Sequence, residues 1–173
     1  MKNKRKSKPT ETIRRNKNRL IVYLLLLVLV PSVLYFRVVN FEFSTLDDTD
    51  IISNNINIIK NLENVPKAFT TDGYLTNKIS FYRPLQTLSF MIDAQFSGEN
   101  PWAYHLTNII LHILSVIILF VLLKQTKIKD EISFLISLLF SVHPMLTHAV
   151  CWIPARGDLF LTLFGLLSSF KFC

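Results

Sequence analysis

The chain has 173 residues, half of them hydrophobic, and a formal net charge of +7. Its apolar residues come in long blocks rather than in a surface-helix or strand period, which excludes a soluble globule built on one core. Only two cysteines occur, Cys151 and Cys173, and their spacing offers neither a disulfide framework nor a metal-ligand pattern.

Residues 1–19 carry nine of the nineteen Lys and Arg residues. Such a tail in isolation suits nucleic acid. Here it leads straight into an uncharged run, residues 20–36 (LIVYLLLLVLVPSVLYF), so the positive-inside rule accounts for it and no nucleic-acid partner is expected. The run is the first expected membrane span, with the N-terminus cytoplasmic. A basic start before an apolar run also fits a secretory signal. Residues 31–37 (PSVLYFR) lack the small-x-small cleavage pattern, which favours an uncleaved anchor.

Residues 37–105 then form an outer segment with eight acids against five bases. It opens with an acid cluster, Asp47, Asp48 and Asp50, in which Thr49 or Asp50 is a candidate helix N-cap. Neighbouring side chains on a helix diverge by about 100°, so Asp47 and Asp48 cannot both aim at one atom on a regular backbone. One is expected at a site and the other at a helix start, although capping and solvation would account for the whole cluster. Ile52, Ile56 and Ile59 recur at helical spacing, which predicts an amphipathic surface helix over residues 50–64, ended by Val65-Pro66. A turn is expected over residues 69–77, around Asp72-Gly73. Pro84 opens a second amphipathic helix with Leu85, Leu88, Ile92 and Phe96 on one face, broken at residues 98–101. Trp102 and Tyr104 fit an interfacial aromatic belt.

A second uncharged run, residues 106–123, and a third apolar run, residues 132–153, are each long enough to span; about 17 residues is the usual lower limit. The loop between them contains three Lys and is expected in the cytoplasm. A turn around residues 155–158 precedes a fourth run, residues 159–173, expected to be the start of a truncated span. The fold class is therefore an all-α, multi-pass helical bundle with amphipathic surface helices in its first outer loop.

Several polar residues in or beside these spans are candidates for function, because polar groups in a membrane are costly. Arg83, next to a helix-opening proline at the membrane face, suits a lipid phosphate. His105 and His112 share a helix face seven residues apart, too far to chelate as an i, i+4 pair. His143 and His148 flank Pro144 near the outer end of the third run. A lone histidine in a span also serves simply as a hydrogen-bond partner for a neighbouring helix. The Arg156-Gly157-Asp158 tripeptide matches an integrin ligand by composition only, and suits an anchor at a helix end.

The order of these elements resembles a known family. An acid pair follows the first span, then YRPL at residues 82–85, NPWAYHLTNIILHIL at 100–114, FSVHPMLTHAVCWI at 140–153 and ARGDLF at 155–160. Together they resemble the start of the GT-C class of multi-pass glycosyltransferases, in particular the protein O-mannosyltransferase-like proteins with C-terminal tetratricopeptide repeats. The resemblance implies transfer of a sugar, mannose foremost, from a polyprenyl- or dolichyl-phosphate carrier to a hydroxyl of an acceptor protein or glycan on the outer or lumenal face. It implies Asp47 as general base, with Asp48 beside it in the catalytic pair. Arg83 and Arg156 are expected at the donor phosphate, and Tyr82, His105, His143 and His148 are expected to shape the site. A divalent metal is the one cofactor left open. The membrane is expected to be bacterial cytoplasmic or endoplasmic reticulum. The family carries Glu where this chain has His148, and its members are far longer, so the chain is expected to be an N-terminal part. The alternatives are a non-catalytic remnant or accessory membrane subunit, and a transporter subunit with the intramembrane histidines as a proton relay.

Overall fold

A computed structural model describes residues 9–45, 47–73, 75 and 81–170. The first eight residues of the basic tail, residue 46, residues 74 and 76–80, which include part of the expected turn, and residues 171–173 lie outside the described residues. Everything regular among those described is helical: α1 (Pro9–Tyr35), α2 (Asp47–Ile51), α3 (Ile56–Ile59), α4 (Val65–Thr70), α5 (Pro84–Ser97), α6 (Trp102–Gln125), α7 (Asp130–Ser141), α8 (Thr147–Cys151) and α9 (Arg156–Ser169). Short 3₁₀ turns link several of them.

Two helical stretches are long and apolar enough to cross a membrane, Asn16–Asn40 and Trp102–Gln125. They coincide with the first two expected spans. Both reach beyond the uncharged runs, because charged and aromatic ends continue a helix into the interface. The third expected span is not one straight helix. α7 and α8 are bent by 48° across a break at Val142–His143, so the pair is either a broken span or a re-entrant loop. Pro144 is the cause: it has no N–H to donate, and it holds His143 extended at ψ 127°. The expected turn at residues 155–158 is instead a 3₁₀ turn, Ile153–Ala155, running directly into α9.

The outer segment differs from expectation in two ways. The single helix expected over residues 50–64 is a series of short turns, and its start is earlier, at Asp47 rather than after Thr49 or Asp50. Asparagine side chains break it by competing for the backbone. Asn55 Nδ2 donates to the carbonyl of Asp50 at 2.7 Å, and Asn64 Nδ2 to that of Ile58 at 3.1 Å. Val65-Pro66 opens α4 rather than ending a helix, since proline is tolerated in a first turn. The expected apolar positions Ile52, Ile56 and Ile59 are nonetheless buried.

The second difference is that the expected apolar face of α5 is split, with Leu88 packed against the core. Its Leu85, Ile92 and Phe96 are exposed, Phe96 by 74%, while Gln86, Thr87 and Asp93 are buried beside Phe90 and Met91. The same inversion runs through the molecule. Leu25, Leu29 and Val33 of α1 and Leu135 and Leu139 of α7 face outward, while Asn108, His112 and Ser115 of α6 and Ser133, Ser137 and Ser141 of α7 face inward. Polar groups inside and apolar groups outside are what a hydrocarbon solvent selects.

α6 is the central strut. Near its end, Val116 and Phe120 pack with Leu27 of α1 and with Phe134 and Leu138 of α7. At its middle, Ile109 and Leu111 meet Tyr35 and Val38, Val150 of α8, and Leu159 and Leu163 of α9. At its start, Tyr104 joins Ile52, Ile56 and Ile59, Phe90 and Met91 of α5, and Ile153. Gly98 ends α5 at φ +62° with its N–H on the carbonyl of Ala94, which turns the chain sharply enough to lay α5 against α6.

Candidate active site

The loop after α1 is fixed by Asp48. Its side chain is 2% exposed, and Oδ2 accepts the N–H of Ser44 at 2.8 Å. Thr49 Oγ1 adds a bond to the Ser44 carbonyl at 3.1 Å. With Asp48 turned inward, Asp47 on the same short helix is left at the wall of a cavity. The two acids therefore diverge, but Asp48 holds the preceding loop at Ser44 rather than the start of the following helix.

Burial raises the Asp48 carboxyl above the usual carboxylate range, partly offset by the Ser44 hydrogen bonds and reinforced by the neighbouring Asp47 charge. A raised folded-state value means that the stabilising contribution is complete below the unfolded value and is lost as pH rises through the folded one. Asp48→Asn is therefore expected to raise thermal stability near neutral pH, with a gain that shrinks as the medium is acidified and the native carboxyl takes up its proton. Melting curves of both proteins from pH 4 to 8 test this, and a pH-independent difference would remove the charge explanation.

The cavity measures about 170 Å³ and is lined by Asp47 and Ile51 of α2, Gly73, Phe81, Arg83, Gln86 and Thr87 of α5, Trp152, Pro154 and Ala155, and Asp158 of α9. Arg83 is exposed, and its guanidinium lies 5.3 Å from the centre of the Phe81 ring. A second, more apolar groove of about 330 Å³ adjoins it, lined by Arg83, Pro84, Leu85, Gln86, Gly157, Asp158 and Phe160. Arg83, Gln86 and Asp158 are common to both. A cation thus stands between a small polar cavity and an apolar groove.

Arg156, expected beside Arg83 at the donor phosphate, is fully buried. Its Nε donates to Asn108 Oδ1 at 2.7 Å, Nη1 to Ser89 Oγ at 2.8 Å and Nη2 to the Tyr104 carbonyl at 2.8 Å. Nη1 is also ion-paired with Asp93 Oδ2 at 2.6 Å, and the guanidinium lies 4.5 Å from the centre of the Phe90 ring. Asp93 in turn accepts from Thr107 Oγ1 at 2.6 Å. This places Arg156 inside a bolt joining α5, α6 and α9. Burial also removes it from any integrin-type recognition. Asn108 Nδ2 reaches the carbonyl of Trp152 at 3.2 Å, so the bolt also holds one wall of the cavity.

The residues expected to shape the site do not converge. Tyr82 is exposed and donates to the Phe69 carbonyl at 3.2 Å. His105 is buried, edge-on to Phe41 at 6.2 Å. His143 caps the 3₁₀ turn Pro144–Leu146, with Nδ1 accepting the N–H of Met145 at 3.3 Å. His148 is exposed and packs against the Trp152 ring at 4.8 Å, one layer behind the cavity wall. His112, the other intramembrane histidine, is bonded to the Ser141 carbonyl at 3.0 Å, the structural use of a histidine in a span. Among the described residues no group of three His, Cys, Asp or Glu side chains is placed to share an ion.

Gln86, Thr87 and Trp152 line the cavity but were given no role from sequence, and Asp158, read there only as part of a helix-end anchor, lines it too. The helical offset from Arg83 to Gln86 and Thr87 was the available signal, since positions i+3 and i+4 share a face.

Described residues that are helical wherever regular, buried polar groups, two helices long and apolar enough to cross a membrane and a cavity lined by Asp47 and Arg83 fit a helical membrane protein with a polar site. Its homologues are protein O-mannosyl-transferases. It is 43% identical to mouse protein O-mannosyl-transferase TMTC2 over 88 residues, which cover 50% of this chain and 10% of that protein. The Caenorhabditis elegans protein O-mannosyl-transferase F38B6.6 is 31% identical over 151 residues, 83% of this chain and 22% of the relative. Human TMTC4 is 36% identical over 106 residues, 53% and 14% respectively. The chain therefore spans about a tenth to a fifth of the length of these curated relatives. No family model matches the chain. No solved structure matches it.

Proposed function

We propose that this chain forms the donor-binding and base-carrying part of a multi-pass mannosyltransferase that uses a polyprenyl- or dolichyl-phosphate sugar. One observation carries the reading: Asp47 and Arg83 line the same cavity, and an apolar groove leads away from Arg83. The names of the homologues support the transfer of mannose to a protein hydroxyl.

The residues divide the reaction as follows. The acceptor oxygen attacks the anomeric carbon while Asp47 takes its proton. The bond from that carbon to the phosphate oxygen breaks, and the carrier phosphate leaves with the electron pair. Arg83 stabilises the charge that develops on it. The groove along Pro84, Leu85 and Phe160 suits the first isoprene units of the carrier. Arg156 supports the site from within instead of touching phosphate. The N-terminal tail lies in the cytoplasm, and residues 37–105 and the cavity lie on the opposite face.

The test is transfer of labelled mannose from polyprenyl-phosphate mannose to an acceptor hydroxyl, in membranes carrying the polypeptide expressed from its own gene with an N-terminal tag. The tag reports the size of the product being assayed against the 20.0 kDa of this chain. Arg83→Gln is expected to weaken donor use by about 10- to 100-fold in kcat/KM, the worth of one charge-assisted hydrogen bond of about 1.5–3 kcal/mol. An unchanged kcat/KM would move the phosphate elsewhere. A second reading, a non-catalytic membrane subunit, draws on His148 standing where the resembled family has Glu; absence of transfer by the intact product would favour it.

A further inference from the structure

A groove of about 1000 Å³ lies apart from the Asp47 cavity and shares no lining residue with it. One wall is residues 39–43, which follow α1, and the other is residues 99–102, the turn between α5 and α6. Asn40 is the last residue of the first stretch able to cross a membrane, and Trp102 is the first residue of the second. With those stretches across a bilayer, the groove opens at headgroup depth. Its charge is of one sign. Glu42 and Glu99 line it, both are exposed, and neither makes an ion pair among the described residues. No Lys or Arg among the described residues lines it. Lys60, whose Nζ would lie 3.1 Å from a Cβ on Gly98, is a neighbouring cation and is not on the wall. Phe41, Phe43 and Trp102 share the same walls, Phe41 50% and Trp102 38% exposed. An aromatic belt accounts for the rings but not for two carboxylates without a counter-charge. Carboxylates beside open ring faces are what holds an ammonium group, by charge and by the ring quadrupole. Asn100 Oδ1 accepts the N–H of Trp102 at 3.4 Å, which leaves its amide NH₂ as a donor, and Asn40 supplies a second amide. Such donors suit phosphate oxygens.

We propose that this groove binds the ammonium headgroup of a zwitterionic phospholipid. Glu42 and Glu99 attract the cation, Phe41 and Trp102 flank it, and the asparagine amides serve its phosphate. A lipid is favoured over a basic polypeptide because the ends of both spans border the groove, where headgroups are always at hand. The proposal does not depend on the mannosyltransferase reading above.

The experiment is equilibrium binding to the full chain in a neutral detergent, read by native mass spectrometry with three probes: short-chain phosphatidylcholine, short-chain phosphatidylglycerol, which keeps the phosphate and lacks the ammonium, and oligolysine. The wild type is expected to prefer the choline lipid. A double variant, Glu42→Gln with Glu99→Gln, keeps the shape of the groove and removes its charge, and should lose about five- to ten-fold of that preference. Trp102→Leu keeps an apolar side chain and removes the ring face, and should lose about three-fold, whereas Trp102→Phe should lose less. Melting curves confirm that each variant is folded before its binding is compared. Equal binding of both lipids by the wild type, or a preference that survives either the double variant or Trp102→Leu, would overturn the proposal. Oligolysine bound in place of the choline lipid, and released by the glutamine changes, would overturn it too and assign the groove to a basic polypeptide.

Discussion

Arg156→Met is expected to destabilise the folded protein by about 3–5 kcal/mol, the usual consequence of removing one partner from a buried ion pair. Several groups lose their partner at once. Asp93 keeps its bond from Thr107 but loses the guanidinium 2.6 Å away, and becomes a buried carboxylate without a counter-charge. Asn108 Oδ1, Ser89 Oγ and the Tyr104 carbonyl each lose a donor. Lysine is not a rescue, because one ammonium cannot reproduce a fork that meets four residues. Adding Asp93→Asn to Arg156→Met removes the stranded charge and should recover part of the loss. The coupling between the two changes, read from thermal unfolding in detergent, is the measure. A cost of Arg156→Met below about 1 kcal/mol would contradict a structural role.

Asp47→Asn is the other large effect. The amide keeps the size of the carboxylate and cannot accept a proton, so transfer should fall by about 10²- to 10⁴-fold, the span associated with a positioned general base. Asp47 is only partly buried and, unlike Asp48, does not secure the Ser44 loop, so folding and membrane insertion should be unaffected. Transfer assays beside a melting curve separate the outcomes. Lost transfer with an unchanged melting curve supports the base. Retained transfer removes Asp47 from the chemistry and directs attention to Asp158, the other carboxylate on the cavity wall.

What could be read in advance followed from how each signal is encoded. The first two spans are written as uninterrupted apolar blocks, and hydrocarbon imposes that composition directly. The third block looked the same, but one residue, Pro144, bends it, and composition does not record a bend. In α5 the apolar positions were identified but their direction was not. The fold turns Leu85, Ile92 and Phe96 outward, packs Leu88 on the core and keeps Asp93 inside with Arg156. The pairing of Asp93 with Arg156 joins residues 63 positions apart, and no local pattern announces it. That Asp47 and Asp48 face different ways was legible because it follows from helix geometry alone. Gln86 and Trp152 were not, because which side chains meet at the cavity is set by packing between distant segments.

The outward apolar face of α5 also acts as a float. Leu85, Ile92 and Phe96 give the helix an exposed apolar side suited to oil, while Arg83 at its start is exposed and suits the water boundary. In a bilayer such a helix would hold the site at one height relative to the lipid headgroups. Ligands that are themselves lipids would reach it by sliding in the plane of the leaflet, so their mole fraction in the bilayer, rather than their amount per litre, sets how often it is filled. Bilayer thickness then becomes a control on occupancy, because a thicker or thinner hydrocarbon slab shifts the headgroups relative to Arg83 without altering a single contact inside the protein.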